Sequence, residues 1–475
     1  MERRTFVRNS VLFAGGLALT GAGFVASAQG LSYVSKRPVQ ADRNFISPSV
    51  DKIIEKIKGQ ISNPELSWMF ENCFPNTLDT TVQYSEQSGI SDTFVITGDI
   101  DAMWLRDSTA QVWPYLPLVA EDEELKKLFK GLINRQTKCV LIDPYANAFN
   151  KGAEGSHWES DQTEMKPELH ERKWEIDSLC YTIRLAYHYW KTSGDDSCFN
   201  TKWVEATKLI VKTFQEQQRK KGKGPYSFQR KTTKPYDSLS GGGFGNPVNP
   251  VGLIVSSFRP SDDATVLPFL IPSNYFAVVS LKQLAEIASH LNLESKLAEE
   301  ALLLASEVED ALTNYAISDH LHYGKILAFE VDGFGNKLFM DDANIPSLLS
   351  LPYLGAMEGA DSLYINTRKF VLSTNNPWFY KGKYAEGIGG PHVGVDMIWP
   401  MSIIMRAMTS NDEQEIISCL QMLIATHAET GFMHETFHKN NPEKFTRSWF
   451  AWANTLFGEL IFKLFRERPS VLTIV

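Results

Sequence analysis

An all-α fold, an (α/α)6 barrel with short β-hairpins on its loops, is what this sequence predicts. Three observations lead there. The body of the 475-residue chain is a succession of amphipathic helical patterns, strand-like alternation is scarce, and six helices open after a polar, aromatic-rich loop while the helices between them have charged faces. The helical period is clearest over Glu123–Lys138, Trp174–Thr192, Trp203–Lys220, Tyr275–His290, Leu293–Tyr315, Asp361–Leu372, Asp396–Met408, Glu413–His427 and Ser448–Phe465. Thr93–Thr97 and His322–Phe329 read as hairpin strands on long loops. The six loop-then-helix units start near Trp104, Trp174, Asn274, Ile345, Met397 and Trp449. Six such units alternating with outer helices describe a ring of inner helices whose loops build a pocket at one end. An α-solenoid fits less well, because the units differ in length and share no consensus.

The N-terminus reads as an address. Arg3-Arg4 with Thr5-Phe6-Val7 is a twin-arginine pattern, followed by the weakly apolar Val11–Val25 and by Ala26-Ser27-Ala28, which predicts cleavage before Gln29. The expected organisation is a signal peptide over 1–28, a flexible segment over 29–45 and a single catalytic domain over 46–475, in a periplasmic or secreted protein. No linker rich in Pro, Gly or Ser divides the body. Removing residues 1–28 takes the formal net charge from −9 to −11, which disfavours a nucleic-acid partner. Nothing after residue 28 is apolar for long enough to span a membrane. Five scattered cysteines with no C-x-x-C pair lack metal-ligand spacing and argue against redox chemistry, and Cys180 and Cys419 fall in helical patterns as buried small hydrophobes, a Cys180–Cys198 bridge being the alternative reading.

Chemistry concentrates in a few dense segments. Gly98–Leu116, GDIDAMWLRDSTAQVWPYL, sets Asp99, Asp101, Asp107, Arg106 and Trp104 within ten residues. An aromatic plate beside carboxylates and a guanidinium suits a sugar ring, whose C–H face stacks while its hydroxyls take directed hydrogen bonds. The same residues also fit a helix N-terminus with an acidic cap and a buried ion pair. Ser257–Asn274, SFRPSDDATVLPFLIPSN, holds the adjacent acids Asp262 and Asp263 in a loop bracketed by Pro260 and Pro268. Two neighbouring carboxylates at a desolvated rim repel, raising the pKa of one, as a general acid requires; an Asp N-cap is the plainer reading. Gly431–Pro442, GFMHETFHKNNP, contains His434-Glu435-Thr436-Phe437-His438, a match to H-E-x-x-H. That zinc motif needs a regular helix to bring its histidines to one face. Gly431 upstream and Lys439-Asn440-Asn441-Pro442 downstream leave no room for one, so the segment reads as a loop with one carboxylate flanked by imidazoles. Gly387–Asp396, GIGGPHVGVD, presents His392 on a glycine-rich loop. Neither a phosphate loop nor a G-x-S-x-G elbow occurs.

Taken in order, GDIDAMWLRDS, RPSDDA…LPFLIPSN, GGPHVG and GFMHETFH resemble the family-125 glycoside hydrolases, inverting exo-acting α-1,6-mannosidases, over about Asn63 to Phe465. The resemblance implies an (α/α)6 barrel and metal-independent hydrolysis of a terminal α-1,6-linked mannose. It also implies a general acid in the RPSDDA motif and a general base in the HE motif. Carried over, the base is Glu435 and the acid is Asp262, with Asp263 orienting it or binding sugar. Arg106 with Asp101 and Asp107 would clamp the sugar hydroxyls, with Trp104 or Trp399 as the stacking face; Asn274, His392 and His434 are further sugar-contact candidates. An inverting enzyme needs its two carboxyls roughly 6.5–9.5 Å apart to admit a water. The expected partner is an oligosaccharide with a nonreducing α-1,6-mannose. No cofactor, metal, nucleic acid or, after signal cleavage, membrane is expected, and the chain is expected to act as a monomer. The rival readings are an α-glucoside-specific (α/α)6 hydrolase and a catalytically silent carbohydrate-binding protein.

Overall fold

Burial sorts the helices into two kinds. Every residue of the Leu105–Val112 helix is buried, and the Ile176–Ser193, Ile271–His290, Pro400–Met408 and Ala451–Glu467 helices are buried nearly all round. A helix covered on all sides is an inner helix. By contrast, Thr201–Gln217 buries one stripe, Trp203, Ala206, Thr207, Ile210, Val211, Phe214 and Gln217, with the 3–4 spacing of an outer helix that faces water on its other side. The Leu105–Val112 helix packs against the Ile176–Ser193 and Ala451–Glu467 helices; Ile176–Ser193 also packs on Ile271–His290, and Ala451–Glu467 on Pro400–Met408.

The computed structural model describes residues 33–291 and 295–475. It is helix-rich, and the expected helices appear with ends moved by a few residues. Two more, Pro48–Lys58 and Pro64–Cys73, precede them, each with a proline in its first turn and a side-chain cap from Ser47 or Asn63. The Thr93–Thr97 strand becomes Ile90–Val95, paired with Val82–Gln87, and the second expected hairpin pairs Ile317–His320 with Gly324–Leu327.

One expected inner helix is absent. The stretch after Ile345 runs as turns through residues 347–356. Its backbone is held from outside instead: Tyr181 donates to the Ile345 carbonyl at 3.1 Å, Arg184 to the carbonyls of Tyr353 and Leu354, and the Tyr353 hydroxyl reaches Glu459 at 3.0 Å. Leu348, Leu349, Leu351 and Leu354 still fill the interior.

Four small sheets went unforeseen; one pairs Phe379–Lys381 with Glu386–Ile388, and the other three sit at helix starts. Met103–Trp104 pairs with Ala148–Phe149, which pairs with Leu169–Glu171; Phe269–Leu270 joins Glu330–Val331 and Lys337–Leu338; Met397–Ile398 joins Thr436–His438 and Asn441–Thr446. In each of these three, one two-residue strand runs straight into an inner helix. The sheets therefore pin the N-terminal ends of three inner helices to loops remote in sequence.

The residues expected to form the signal, 1–28, lie outside the described residues, as do 29–32. From Ser35 to Val475 the chain is one compact unit. The expectation of flexibility over 29–45 is corrected from Ser35 onward. Arg37 donates to buried Asp79 at 2.8 Å and to Asp51 at 2.8 Å, and Arg43 donates to Asp51 at 3.3 Å. A buried carboxylate needs such partners, and sequence period alone does not display them. All five cysteines are buried and unpaired. Among the described residues no helix is long and apolar enough to cross a membrane.

Arg37→Ala leaves Asp79 buried with its main partner gone. It should cost about 2–4 kcal/mol of unfolding free energy and accelerate amide exchange over residues 35–45. Unchanged exchange would show that this segment is held by something else.

Candidate active site

The site forms where inner helices begin. Trp104 is the N-cap of the Leu105–Val112 helix, which sets Arg106 and Asp107 in its first turn. Trp399 caps the Pro400–Met408 helix and Phe450 the Ala451–Glu467 helix. Helix N-termini carry partial positive charge, so several starting at one place make carboxylates easier to collect there. The turn before Met103 needs a glycine: Gly98 has φ +116°, and a Cβ there would come within 3.0 Å of the Trp449 ring.

Asp262 and Glu435, remote in the chain, line one cavity of about 80 Å³. Trp104, Arg106, Asp107, His392 and Trp399 line it too, together with Asn344, Arg447 and Trp452. Larger surface grooves of about 520 and 660 Å³ share no residue with it.

Arg106 is the hub. Its Nη1 donates to Glu175 at 2.7 Å and to Asp177 at 3.1 Å, its Nη2 lies 3.6 Å from Asp262 and its Nε 3.5 Å from Asp107. Burial pushes the Asp107 carboxyl up to about 6 against the pull of Arg106. Asp262 sits at φ +66° in a tight turn, its N–H bonded to the Arg259 carbonyl at 2.9 Å. Asp tolerates that backbone region better than most residues. Buried Arg259 locks the turn by donating to Glu330 at 2.6 Å, and Glu330 accepts the N–H groups of Val266 and Leu267. Lys173 donates to the Asp262 carbonyl at 3.0 Å and Asn147 to its Oδ1 at 3.3 Å.

Glu435 lies on the loop entering the Thr436–His438 strand. That loop is held by Asn454, which accepts the Met433 N–H at 2.8 Å. Arg447, at φ +40°, brings its Nε 3.6 Å from Glu435 and 3.5 Å from Asp99.

A search against protein-family models matches residues 63–462 to the metal-independent alpha-mannosidases (GH125). The chain belongs to this family. It is 42% identical over 459 residues to the Meiotically up-regulated gene 157 protein of Schizosaccharomyces pombe, spanning 92% of this chain and 89% of that protein. It is also 42% identical to a Streptococcus pneumoniae metal-independent alpha mannosidase solved in a non-productive complex with alpha-1,6-mannobiose; the match covers 90% of this chain and all of that one, with TM-score 0.86. A bacterial glucoamylase solved with acarbose, 12% identical with TM-score 0.52 over 88% of this chain and 58% of that one, shares the fold.

Within this α-mannosidase four expected sugar contacts move elsewhere. Asp101 is exposed and outside the cavity lining; Asp99 is the acid that reaches Arg447. Asn274 is fully buried and spent on backbone: it accepts from the Ile254 N–H at 2.8 Å and donates to the carbonyls of Ile254 and Leu270 at 2.9 Å each. His434 turns inward, donates from Nδ1 to the Ser448 carbonyl at 2.9 Å and stacks on Phe445 at 3.9 Å. Burial lowers it to about 4, so it is a neutral clamp on the hairpin. Asp263 is buried and pairs with His392 Nδ1 at 3.0 Å, so it orients the imidazole rather than Asp262.

The electrostatic expectation for the acid pair is corrected as well. Burial favours a raised Asp262, but Lys173 and Arg106 outweigh it and hold the carboxyl below its usual range. The H-E-x-x-H segment is extended, with Thr436–His438 in a sheet, so its histidines lack the shared face of a helix. Gly389 and Gly390 serve packing: a Cβ on Gly389 would meet the Met397 carbonyl at 2.3 Å.

Sequence reasoning missed Arg447, Asn344, Lys173, Glu175 and Asp177. A signal for the last three was present. Lys173 and Glu175 flank Trp174 in the extended lead-in, and Asp177 stands in the first turn of the Ile176–Ser193 helix, so three charges crowd one helix start.

Asn274→Ala leaves buried backbone groups unpaired and should cost about 2–4 kcal/mol in unfolding free energy. The folded variant should bind sugar as the wild type does. A KM change without destabilisation would return Asn274 to the sugar site.

Proposed function

We propose that this α-mannosidase is an exo-acting, inverting enzyme that releases terminal α-1,6-linked mannose from mannan- or N-glycan-derived oligosaccharides, with Asp262 as general acid and Glu435 as general base. The observation that carries this reading is that the two carboxyls, from loops remote in sequence, line the same small cavity. A water needs roughly 10–15 Å³ of such space, so a cavity of about 80 Å³ suits a single sugar ring with its attacking water. That size supports exo action. The mannobiose in the pneumococcal relative's complex supports the linkage. Arrangement of the inner helices and the shared fold with the glucoamylase support an (α/α)6 barrel in which the turns after Ile345 replace one inner helix.

In this reading Asp262 protonates the glycosidic oxygen while Glu435 takes a proton from a water that attacks C1 on the opposite face. Arg106 is already engaged with carboxylates, so its part is to hold Asp107 as the hydroxyl acceptor. Trp104 and Trp399 offer ring faces to the sugar. Although burial disfavours its charge, His392 is raised by its Asp263 partner, and with Nδ1 on Asp263 it would present Nε2 toward the departing sugar. The twin-arginine pattern supports export of the folded chain after removal of residues 1–28; N-terminal sequencing of the exported protein tests this.

The decisive assay compares α-1,6-mannobiose with isomaltose. Wild type should cleave the first and leave the second, and Asp262→Asn or Glu435→Gln should each lower kcat by about 10²–10⁴ with the fold intact. A chelator should have no effect. Cleavage of isomaltose in preference would move the protein to the α-glucosidase reading, and absence of any turnover to the silent binding protein.

A further inference from the structure

An acid that neighbouring cations hold below its usual range is a poor proton donor, and Asp262, 3.6 Å from Arg106, is such an acid. A general acid must carry its proton when the bond breaks, so the surroundings must supply one. Four carboxyls surround the Arg106 guanidinium: Asp107, Glu175, Asp177 and Asp262. The other cations are engaged. Lys173 lies 2.8 Å from Asp237 and 3.4 Å from Glu171, and His392 is paired with Asp263. Full ionisation of four acids, three of them buried, about one guanidinium leaves charge without a partner, which a desolvated site does not sustain.

Glu175 is the group placed to stay neutral. It is completely buried and forms no part of the cavity wall. Its Oε2 accepts from Arg106 at 2.7 Å and from Ser178 at 2.9 Å, whereas its Oε1 meets no donor from the surrounding side chains. Glu175 and Asp262 share one guanidinium, at 2.7 Å from Arg106 Nη1 and 3.6 Å from its Nη2. Two carboxyl groups drawn together in this way can bond to each other only with a proton between them, because ionised carboxylates are acceptors alone. Burial drives Glu175 well above its usual range, Arg106 opposes this, and the charges of Asp177 and Asp262 add to it.

We infer that Glu175 stores the proton that Asp262 delivers, the two carboxyls working as a one-proton pair of which only Asp262 meets substrate. This deepens the assignment of Asp262 as general acid and rests on it. Glu175 is a positioning residue for the proton. In the step, the O–H bond of Glu175 breaks and one forms on Asp262, leaving Glu175 a carboxylate against Arg106. Asp262 then gives that proton to the glycosidic oxygen as the C1–O bond breaks, its electron pair staying on that oxygen. The attacking water bonds C1 and loses a proton to Glu435. After product leaves, solvent returns a proton to the Glu175/Asp262 pair and removes the one on Glu435.

The test is Glu175→Gln in the full chain, assayed on α-1,6-mannobiose and on α-mannosyl fluoride, whose fluoride departs without protonation. Lost proton storage should lower kcat/KM for mannobiose by about 100-fold at neutral pH, lower the fluoride rate at least ten times less, and move the alkaline limb of the mannobiose pH profile at least one unit toward acid. Equal losses on both substrates with the limb unmoved would overturn the proposal. Asp262→Asn separates the two claims. Near-normal mannobiose cleavage there would sink the acid assignment and this inference with it, whereas a substrate split in Asp262→Asn but not in Glu175→Gln would sink the role of Glu175 alone. Should the Gln variant not fold, wild type labelled with ¹³C-glutamate answers by infrared spectroscopy. Above the value of about 7 to which burial raises Glu459, a label-shifted neutral carboxyl stretch supports the proposal, and its absence contradicts it.

Discussion

One buried guanidinium organises this molecule. Arg106 sits in the first turn of an inner helix and draws in carboxyls from its own helix, from the start of the Ile176–Ser193 helix and from the Asp262 turn. Each of those segments brings its own piece of the cavity or its supports. A charge of this kind is costly to bury unless it is paired and hydrogen-bonded, so the three segments have little freedom to drift apart. The arrangement also sets the local field in which any bound sugar would react. Dipoles and charges fixed before substrate arrives need no reorganisation during the reaction.

Around that hub the structure spends its buried polar groups on holding loops still. The Arg259–Glu330 pair fixes the turn that carries Asp262, and Asn454 with neutral His434 fixes the hairpin that carries Glu435. The short sheets do the same for the helix starts. Function on such a scaffold depends on rigid loops at one end of a helical body, with the helices supplying support and converging N-termini.

Much of this was readable in the chain. Trp104, Arg106, Asp107, Asp262 and Glu435 stand in segments denser in charge and aromatics than a solvated loop requires, and the structure brings them together. Asn274, His434 and Asp101 stood in the same segments and point elsewhere. A residue type gives chemistry, but orientation comes from neighbours: the Ile254 backbone claims Asn274 and the Ser448 carbonyl claims His434. The charges at 173, 175 and 177 passed for an ordinary helix start because their partner, Arg106, lies far away in sequence. The turns after Ile345 carry the apolar content of a helix, and only the outside hydrogen bonds to their carbonyls reveal that none forms.

The roles proposed for Asp262 and Glu435 require two carboxyls facing each other with a water between them, rather than one of them attacking carbon. Proton NMR during the first minutes of α-1,6-mannobiose cleavage reads that directly. Attack by water across the ring releases β-mannose first, with α-mannose growing in by mutarotation. Initial appearance of α-mannose would mean a covalent sugar intermediate, and would contradict the roles given to Asp262 and Glu435.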